Sequence, residues 1–497
     1  MTASSAADVR AALLTGTEIA LVDVRPEGPF AAGHPLFAAS LPLGRLEAEV
    51  FDRLPRRSVP VVVYGGDAVA AVRRLRELGY TDVTILDGGL AGWVAAGGEL
   101  FRDVNAPSKA FGELVAERAD TPFISPAELA GVIADDGCVV LDARRFDEFS
   151  VMSIPTATSV PGAELLLRAP ALASDPATTV VVNCAGRTRS IIGTQSLINA
   201  GLPNRVLALR NGTIGWTLAG LELDHGQRRS GPAVTAEAAE RALAAGWAVA
   251  AKAGVRRVTG AAPEGRTVYR FDVRTPEEYA AGHLPGFRSA PGGQLVQETD
   301  RYAPVRGALV VLAEDGGGRA AMTASWLAQM NWEVAVVPSG DGETGGWVPA
   351  RPPAPTVRTA SPAEVARSTV IDVDSSPRYL AGHLPGAAWA LRGDLPRFAR
   401  EGVVLTSSDG YLAAWAASDL GDDVAILAGG TDGWARSGRG LESGGGELLS
   451  EPVDVYRRPY EGTDVDPAVM QAYLDWEYGL VGQLERDGTH GFRVLLP

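Results

Sequence analysis

What most constrains the fold of this chain is a repeat: an apolar run ending in an acid, followed at long range by a glycine-rich turn and a tryptophan, occurs four times. The openings are Leu21-Val22-Asp23-Val24-Arg25, Val140-Leu141-Asp142-Ala143-Arg144, Arg270-Phe271-Asp272-Val273-Arg274 and Val370-Ile371-Asp372-Val373-Asp374. The closings are Gly88-Gly89-Leu90-Ala91-Gly92-Trp93, Asn211-Gly212-Thr213-Ile214-Gly215-Trp216, Gly342-Glu343-Thr344-Gly345-Gly346-Trp347 and Gly429-Gly430-Thr431-Asp432-Gly433-Trp434. From Asp23 to Trp93, Asp142 to Trp216, Asp272 to Trp347 and Asp372 to Trp434 the separations are 70, 74, 75 and 62 residues, so the fourth unit is a shortened copy of the others. Three units also carry a turn after the first run, Gly33-His34-Pro35, Gly282-His283-Leu284-Pro285-Gly286 and Gly382-His383-Leu384-Pro385-Gly386, where the second has Ser153-Ile154-Pro155.

Midway through each unit a short β-branched run, at residues 59–63, 179–182, 308–312 and 403–405, precedes a loop and a helical stretch. Runs apolar on both faces are expected of central strands in a parallel sheet covered by helices on each side. Strand-loop-helix alternation makes the class α/β. A chain of 497 residues exceeds what one hydrophobic core organises, and Pro/Gly-rich connectors at 105–122, 226–232 and 351–355 mark the joints. The expected architecture is four domains, at 1–104, 122–228, 231–350 and 356–441, each a central parallel sheet with helices on both faces, followed by a helical C-terminal tail at 442–497. In the tail Val469, Met470, Tyr473, Leu474, Tyr478 and Leu480 recur at helical spacing, which predicts a capping helix over 467–484.

Composition removes several function classes. A net charge of −15 argues against a general nucleic-acid or anionic-membrane surface, both of which need clustered Lys and Arg. Two cysteines, Cys138 and Cys184, allow neither a disulfide framework nor a four-cysteine zinc site, and fit a reducing compartment. The N-terminus lacks a basic region followed by an apolar run, and no stretch of about 20 apolar residues spans a membrane, so a cytoplasmic location is expected. The five histidines, His34, His225, His283, His383 and His490, show no metal-like clustering, and no metal or organic cofactor is called for.

One mid-unit loop carries nucleophilic chemistry. In an open parallel sheet ligands bind beyond the carboxyl ends of the strands, and there the second unit places Cys184-Ala185-Gly186-Arg187-Thr188-Arg189-Ser190, between Val180-Val181-Val182-Asn183 and a helical stretch at 191–200. Loop amides, a helix N-terminus and two arginines all favour thiolate over thiol, so Cys184 is the expected nucleophile. The amides of Ala185 through Ser190 are expected to cradle an anionic donor or a persulfide, with Arg187 and Arg189 neutralising its charge. Cys138, within a β-run, reads as a small buried hydrophobe. Matching strand ends set Tyr64, Ala313 and Thr406 opposite Cys184 in the other units, none able to form a persulfide.

The Asp-x-Arg openings, Gly-His-x-Pro turns, strand-Cys-loop-helix centre and Gly-Gly-x-x-Gly-Trp closings together resemble the rhodanese domain over nearly the whole chain. The resemblance implies a sulfurtransferase in which Cys184 carries sulfane sulfur as a persulfide from a donor such as thiosulfate to a thiophilic acceptor. It also implies that Asp142 and Arg144 support the framework and that the histidines of the Gly-His turns are turn residues. Family loops of six positions mark sulfurtransferases and seven the related phosphatases; Cys184 to Arg189 is six, and Cys-x4-Arg departs from the phosphatase Cys-x5-Arg. Ala185 departs from the basic neighbour of thiosulfate enzymes and from the Gly-Ser-Gly of mercaptopyruvate enzymes, which leaves the donor open. Two alternatives stand beside this reading: persulfide-dependent carbon–sulfur bond formation, as in an anaerobic ergothioneine synthase, and a sulfur carrier or sensor without turnover. Expected partners are a small-molecule sulfur donor and acceptor, with no nucleic acid and no membrane; a homodimer is left open. The three cysteine-less units are expected to wall the pocket, Glu314-Asp315 to be a solvated loop, and Arg457, Arg458 and Tyr460 of the tail are candidates to reach the second unit.

Overall fold

The computed structural model describes residues 2–135, 137–259, 264–340 and 342–496. They contain four sheets built on one strand order. In the second unit Phe123–Ile124, Val206–Leu209, Thr179–Asn183, Cys138–Asp142 and Thr158–Ser159 lie side by side, all parallel. The first sheet repeats this with Ala3–Ser4, Val83–Leu86, Val61–Tyr64, Ile19–Asp23 and Ala38–Ser40. The third runs Arg256–Arg257, Glu333–Val337, Leu309–Ala313, Val268–Asp272, Arg288–Ser289, and the fourth Thr359–Ala360, Ala425–Leu427, Val403–Thr406, Thr369–Asp372, Ala388–Trp389.

Helices cover both faces because the strands are apolar on both. In the second unit Val181 packs with Leu129, Phe149 and Trp216 on one side, while Val180 and Val182 pack with Leu165 and Leu197 on the other. All three valines are fully buried, each contributing about 1.5–3 kcal/mol of hydrophobic stabilisation. Two strands extend the sheets beyond the parallel pattern. Val305–Arg306 of the third unit pairs antiparallel with Ile19–Asp23 of the first. Glu447–Leu448, from the segment expected to be tail, joins Ala388–Trp389 of the fourth. The capping helix is two, Pro467–Tyr478 and Leu480–Asp487; they bury Met470, Tyr473, Leu474 and Leu480 and leave Val469 and Tyr478 about half exposed.

The units associate in equivalent pairs. Gly162–Glu164 of the second meets Gly292–Gln297 of the third, where a Cβ on Gly162 would lie 3.7 Å from the Gly293 Cα. Leu43–Arg45 of the first meets Arg392–Arg397 of the fourth in the same way. In each pair a buried arginine crosses to a buried glutamate, Arg319 to Glu164 at 2.7 Å and Arg392 to Glu47 at 2.7 Å. The first pairing closes to a void of ≈ 40 Å³, whereas the second leaves a cleft of ≈ 620 Å³.

Candidate active site

Cys184 follows the last residue of the strand Thr179–Asn183 and precedes the helix Thr188–Asn199, which begins three residues before the expected stretch at 191–200. The loop is tied down by the closing motif. Thr213 N–H donates to the Cys184 carbonyl at 2.9 Å and Ile214 N–H to the Ala185 carbonyl at 3.0 Å. Gly212 makes this approach possible: it sits at φ +55°, and a Cβ there would collide with the Cys184 and Gly186 carbonyl oxygens.

Cys184 is 2% exposed. Its Sγ lies 3.6 Å from Ser190 Oγ, which donates to the Arg187 carbonyl at 2.7 Å. Burial pushes the thiol above its usual range; the Arg189 charge and the hydrogen bonds the thiol shares with the Ser190 hydroxyl and N–H oppose this, and the nearby Glu477 reinforces it. Burial therefore works against the thiolate expected from loop and arginines alone. The cover that desolvates the sulfur is far away in sequence.

That cover comes from the tail and from the helix Ala106–Arg118, and the third unit's Gly292, Gly293, Thr323 and Trp326 line a void beside Thr188 and Arg189. Ala185 packs in an apolar cluster with Ile214, Tyr460, Met470, Tyr473 and Leu474, so of the tail candidates Tyr460 reaches the second unit. Arg457 instead pairs with Asp464, and Arg458 with Glu461. Gly186 lies under Tyr473 and Glu477, whose Oε2 would be 3.2 Å from a Cβ at that position. Thr188 meets the linker helix at Gly112. Lys109 of the same helix, buried, pairs with Asp103 at 3.0 Å and stands 5.1–5.6 Å from the rings of Tyr460, Tyr473 and Trp476.

Both loop arginines are already paired. Arg187 forms a two-pronged bond to Glu113, at 2.6 and 2.8 Å, and also donates to Asn211 and to the Tyr478 hydroxyl. Arg189 forms a two-pronged bond to Glu148 at 2.7 and 2.9 Å. Glu148 is pushed up by burial, but the Arg189 charge and hydrogen bond outweigh this and hold it down at about 2. Arg189 remains the cation whose field reaches the Cys184 sulfur. Asp142 and Arg144 form a buried pair at 2.8 Å; Arg144 also donates to the Met152 carbonyl and Asn183 to Asp142. The first and third units repeat the pair as Asp23–Arg25 and Asp272–Arg274. The turn histidines His34, His283 and His383 are buried and stacked on Phe30, Tyr279 and Tyr379. Cys138 is partly buried at the start of its strand.

Glu148, Glu113, Lys109 and Glu477 escaped the sequence reading, and Tyr473 entered it only as a position of the capping helix. One signal was available for the first: the third unit carries Glu278 and Arg319 at the positions of Glu148 and Arg189, and they too are bonded. Among the described residues no group of His, Cys, Asp and Glu is placed to hold a metal ion, and no helix is long and apolar enough to cross a membrane.

The rhodanese-like domain family model matches residues 5–96, 125–219 and 262–340. The chain belongs to the rhodanese-like family. It is 52% identical, over all of both chains and with a TM-score of 0.96, to the crystal structure of thiosulfate sulfurtransferase from Pseudomonas aeruginosa. The Alr3790 protein from Anabaena sp. is 31% identical over 20% of this chain and 82% of its own, with a TM-score of 0.19. A rhodanese-related protein from Thermoplasma volcanium is 24% identical over 21% of this chain and 97% of its own, with a TM-score of 0.19. Among curated proteins none matches the chain.

Comparing the four units by sheet register corrects the expected equivalences. Asn183 pairs with Asp142, as Tyr64 does with Asp23 and Thr406 with Asp372, and Leu312 pairs with Phe271. Tyr64, Ala313 and Thr406 therefore match Asn183, and the positions equivalent to Cys184 are one residue later: Gly65, Glu314 and Ser407. Thr431 N–H donates to the Ser407 carbonyl just as Thr213 does to that of Cys184. In two units a carboxylate occupies the loop. Asp315, its side chain fully covered rather than solvated, accepts from Ala320 N–H at 3.1 Å and from Arg319 at 2.7 Å; Glu314 accepts from the Trp247 indole. Asp374, standing where the second unit has Arg144, accepts from the N–H and hydroxyl of Ser408.

Proposed function

We propose that this rhodanese-like chain is a sulfurtransferase that carries sulfane sulfur on Cys184. The observation that carries the reading is the position of Cys184 at the strand-to-helix loop of the second unit, with Ser190 Oγ 3.6 Å from its sulfur and the Arg189 charge acting on it; the full-length similarity to a thiosulfate sulfurtransferase supports it. The Cys184 thiolate attacks the outer sulfur of thiosulfate. A Cys–S–S⁻ bond forms, the bond between the two donor sulfurs breaks, and its electron pair leaves with sulfite. A nucleophilic acceptor then takes the terminal sulfur and returns the thiolate.

The loop from Ala185 to Ser190 supplies amides for the terminal sulfur, and the Ser190 N–H stabilises the thiolate. Arg189 contributes a fixed positive field while held in place by Glu148. Arg187, bound to Glu113, Asn211 and Tyr478, holds the linker helix and tail against the loop. Asp142 and Arg144 set the end of the strand preceding these elements. Because burial raises the thiol's pKa, the first half-reaction speeds up as pH rises toward it.

Turnover of thiosulfate with cyanide tests the reading, with thiocyanate measured for the native chain and Cys184→Ser. Thiocyanate from the native chain and none from the variant is expected; equal rates would overturn it.

A further inference from the structure

The tail places a carboxyl oxygen without a hydrogen-bond partner among the described residues over the loop that the proposed function assigns to an anion. Glu477 is 1% exposed; its Oε1 accepts from the Tyr473 hydroxyl at 2.6 Å, while Oε2 has no hydrogen-bond partner among the described residues. That oxygen faces Gly186, close enough that a Cβ there would lie 3.2 Å from it.

We propose that Glu477 is a donor-binding residue which meets the anion as a neutral carboxylic acid and gives it a hydrogen bond from Oε2. The argument starts from charge. A carboxylate at this point would repel the donor and would also oppose ionisation of Cys184, whereas a protonated carboxyl removes both penalties and supplies the donor group an anion requires. The groups packed around Glu477 decide which form is present. Burial and Glu113 of the linker helix push its pKa up, to about 8; Lys109 of that helix, Tyr473 of its own helix and Arg187 of the loop pull against them. Lys109 and Arg187 are themselves paired with Asp103 and Glu113.

This inference rests on the sulfurtransferase reading and adds a proton to it. Donor binding requires the neutral acid, so affinity is constant well below pH 8 and falls about tenfold per pH unit above it, the slope of one linked proton. The proton stays on Glu477 during sulfur transfer, so the balance of that step is unchanged.

Thiosulfate binding to full-length Cys184→Ser, measured by calorimetry between about pH 6 and pH 10, isolates this effect from titration of the thiol. The expected result is weakening above about pH 8 that disappears in the Cys184→Ser/Glu477→Gln double variant, whose amide keeps a donor at all pH. In the chain with Cys184 intact, kcat/KM should level off near pH 8, and Glu477→Gln should keep rising beyond it. The inference is overturned if the glutamine variant retains the break, if affinity is independent of pH, or if no thiosulfate binds at pH 6. Absence of any persulfide on the native chain would instead remove the proposed function, whatever the binding profile.

Discussion

At Cys184, Arg189 and Glu148 the electrostatics follow from burial. Arg189 cannot be left alone in this setting, and the cost of leaving a buried charge unpaired sets the first prediction. Glu148→Gln should destabilise the chain by about 3–5 kcal/mol in urea unfolding, whereas loss of an exposed pair would change stability by about 1 kcal/mol or less. The acid dependence has a definite sign. Glu148 titrates at about 2 in the folded chain against 4.5 in the ordinary range, so the stability it contributes is present above pH 4.5 and is lost as pH falls toward 2. The loss is on the order of 3 kcal/mol, and it should be missing from the acid denaturation of Glu148→Gln. A native acid profile superimposable on that of the variant would contradict the assignment.

Among the elements, the closing turn and the tail matter most. Gly212 is readable in the sequence because its φ of +55° and its contact with the Cys184 carbonyl permit no side chain, and Gly430 meets Ser407 in the same way. Gly212→Ala should cost at least about 2 kcal/mol, from backbone strain and displacement of the loop, and should lower donor turnover more than it lowers stability at a distance would explain; undiminished turnover would show that the loop does not depend on this contact. The strand-loop-helix around Cys184 was equally legible, since its parts are consecutive and the alternation of Val180, Val181 and Val182 between two helical layers is local. The cover was not. Lys109, Glu113, Tyr473 and Glu477 belong to a linker and a tail whose helical patterns say where a face is apolar but not what it covers, so the rise in the Cys184 thiol could not be foreseen from its neighbours.

Across the whole molecule, the repeat predicted four α/β units and left their pairing unread. The pairing depends on arginine–glutamate contacts between units, Arg319 with Glu164 and Arg392 with Glu47, and on an antiparallel strand lent by the third unit to the first. Register also showed that loop equivalence fails by one residue when strand ends alone are aligned. This gives a prediction about the fourth unit: Ser407→Cys, introduced into Cys184→Ser, should form no persulfide, because Asp374 already accepts from the Ser408 N–H and hydroxyl in that loop. Persulfide on such a chain would show that the carboxylate does not block the loop.

The central claim is that sulfur resides on Cys184. Intact-mass measurement after thiosulfate treatment, followed by peptide mapping, tests it most directly, with the sequence's other thiol, Cys138, as an internal control. The expected result is a gain of one sulfur atom on the peptide containing Cys184, reversed by cyanide and absent in Cys184→Ser; a gain on Cys138, or an equal gain in the variant, would contradict the account.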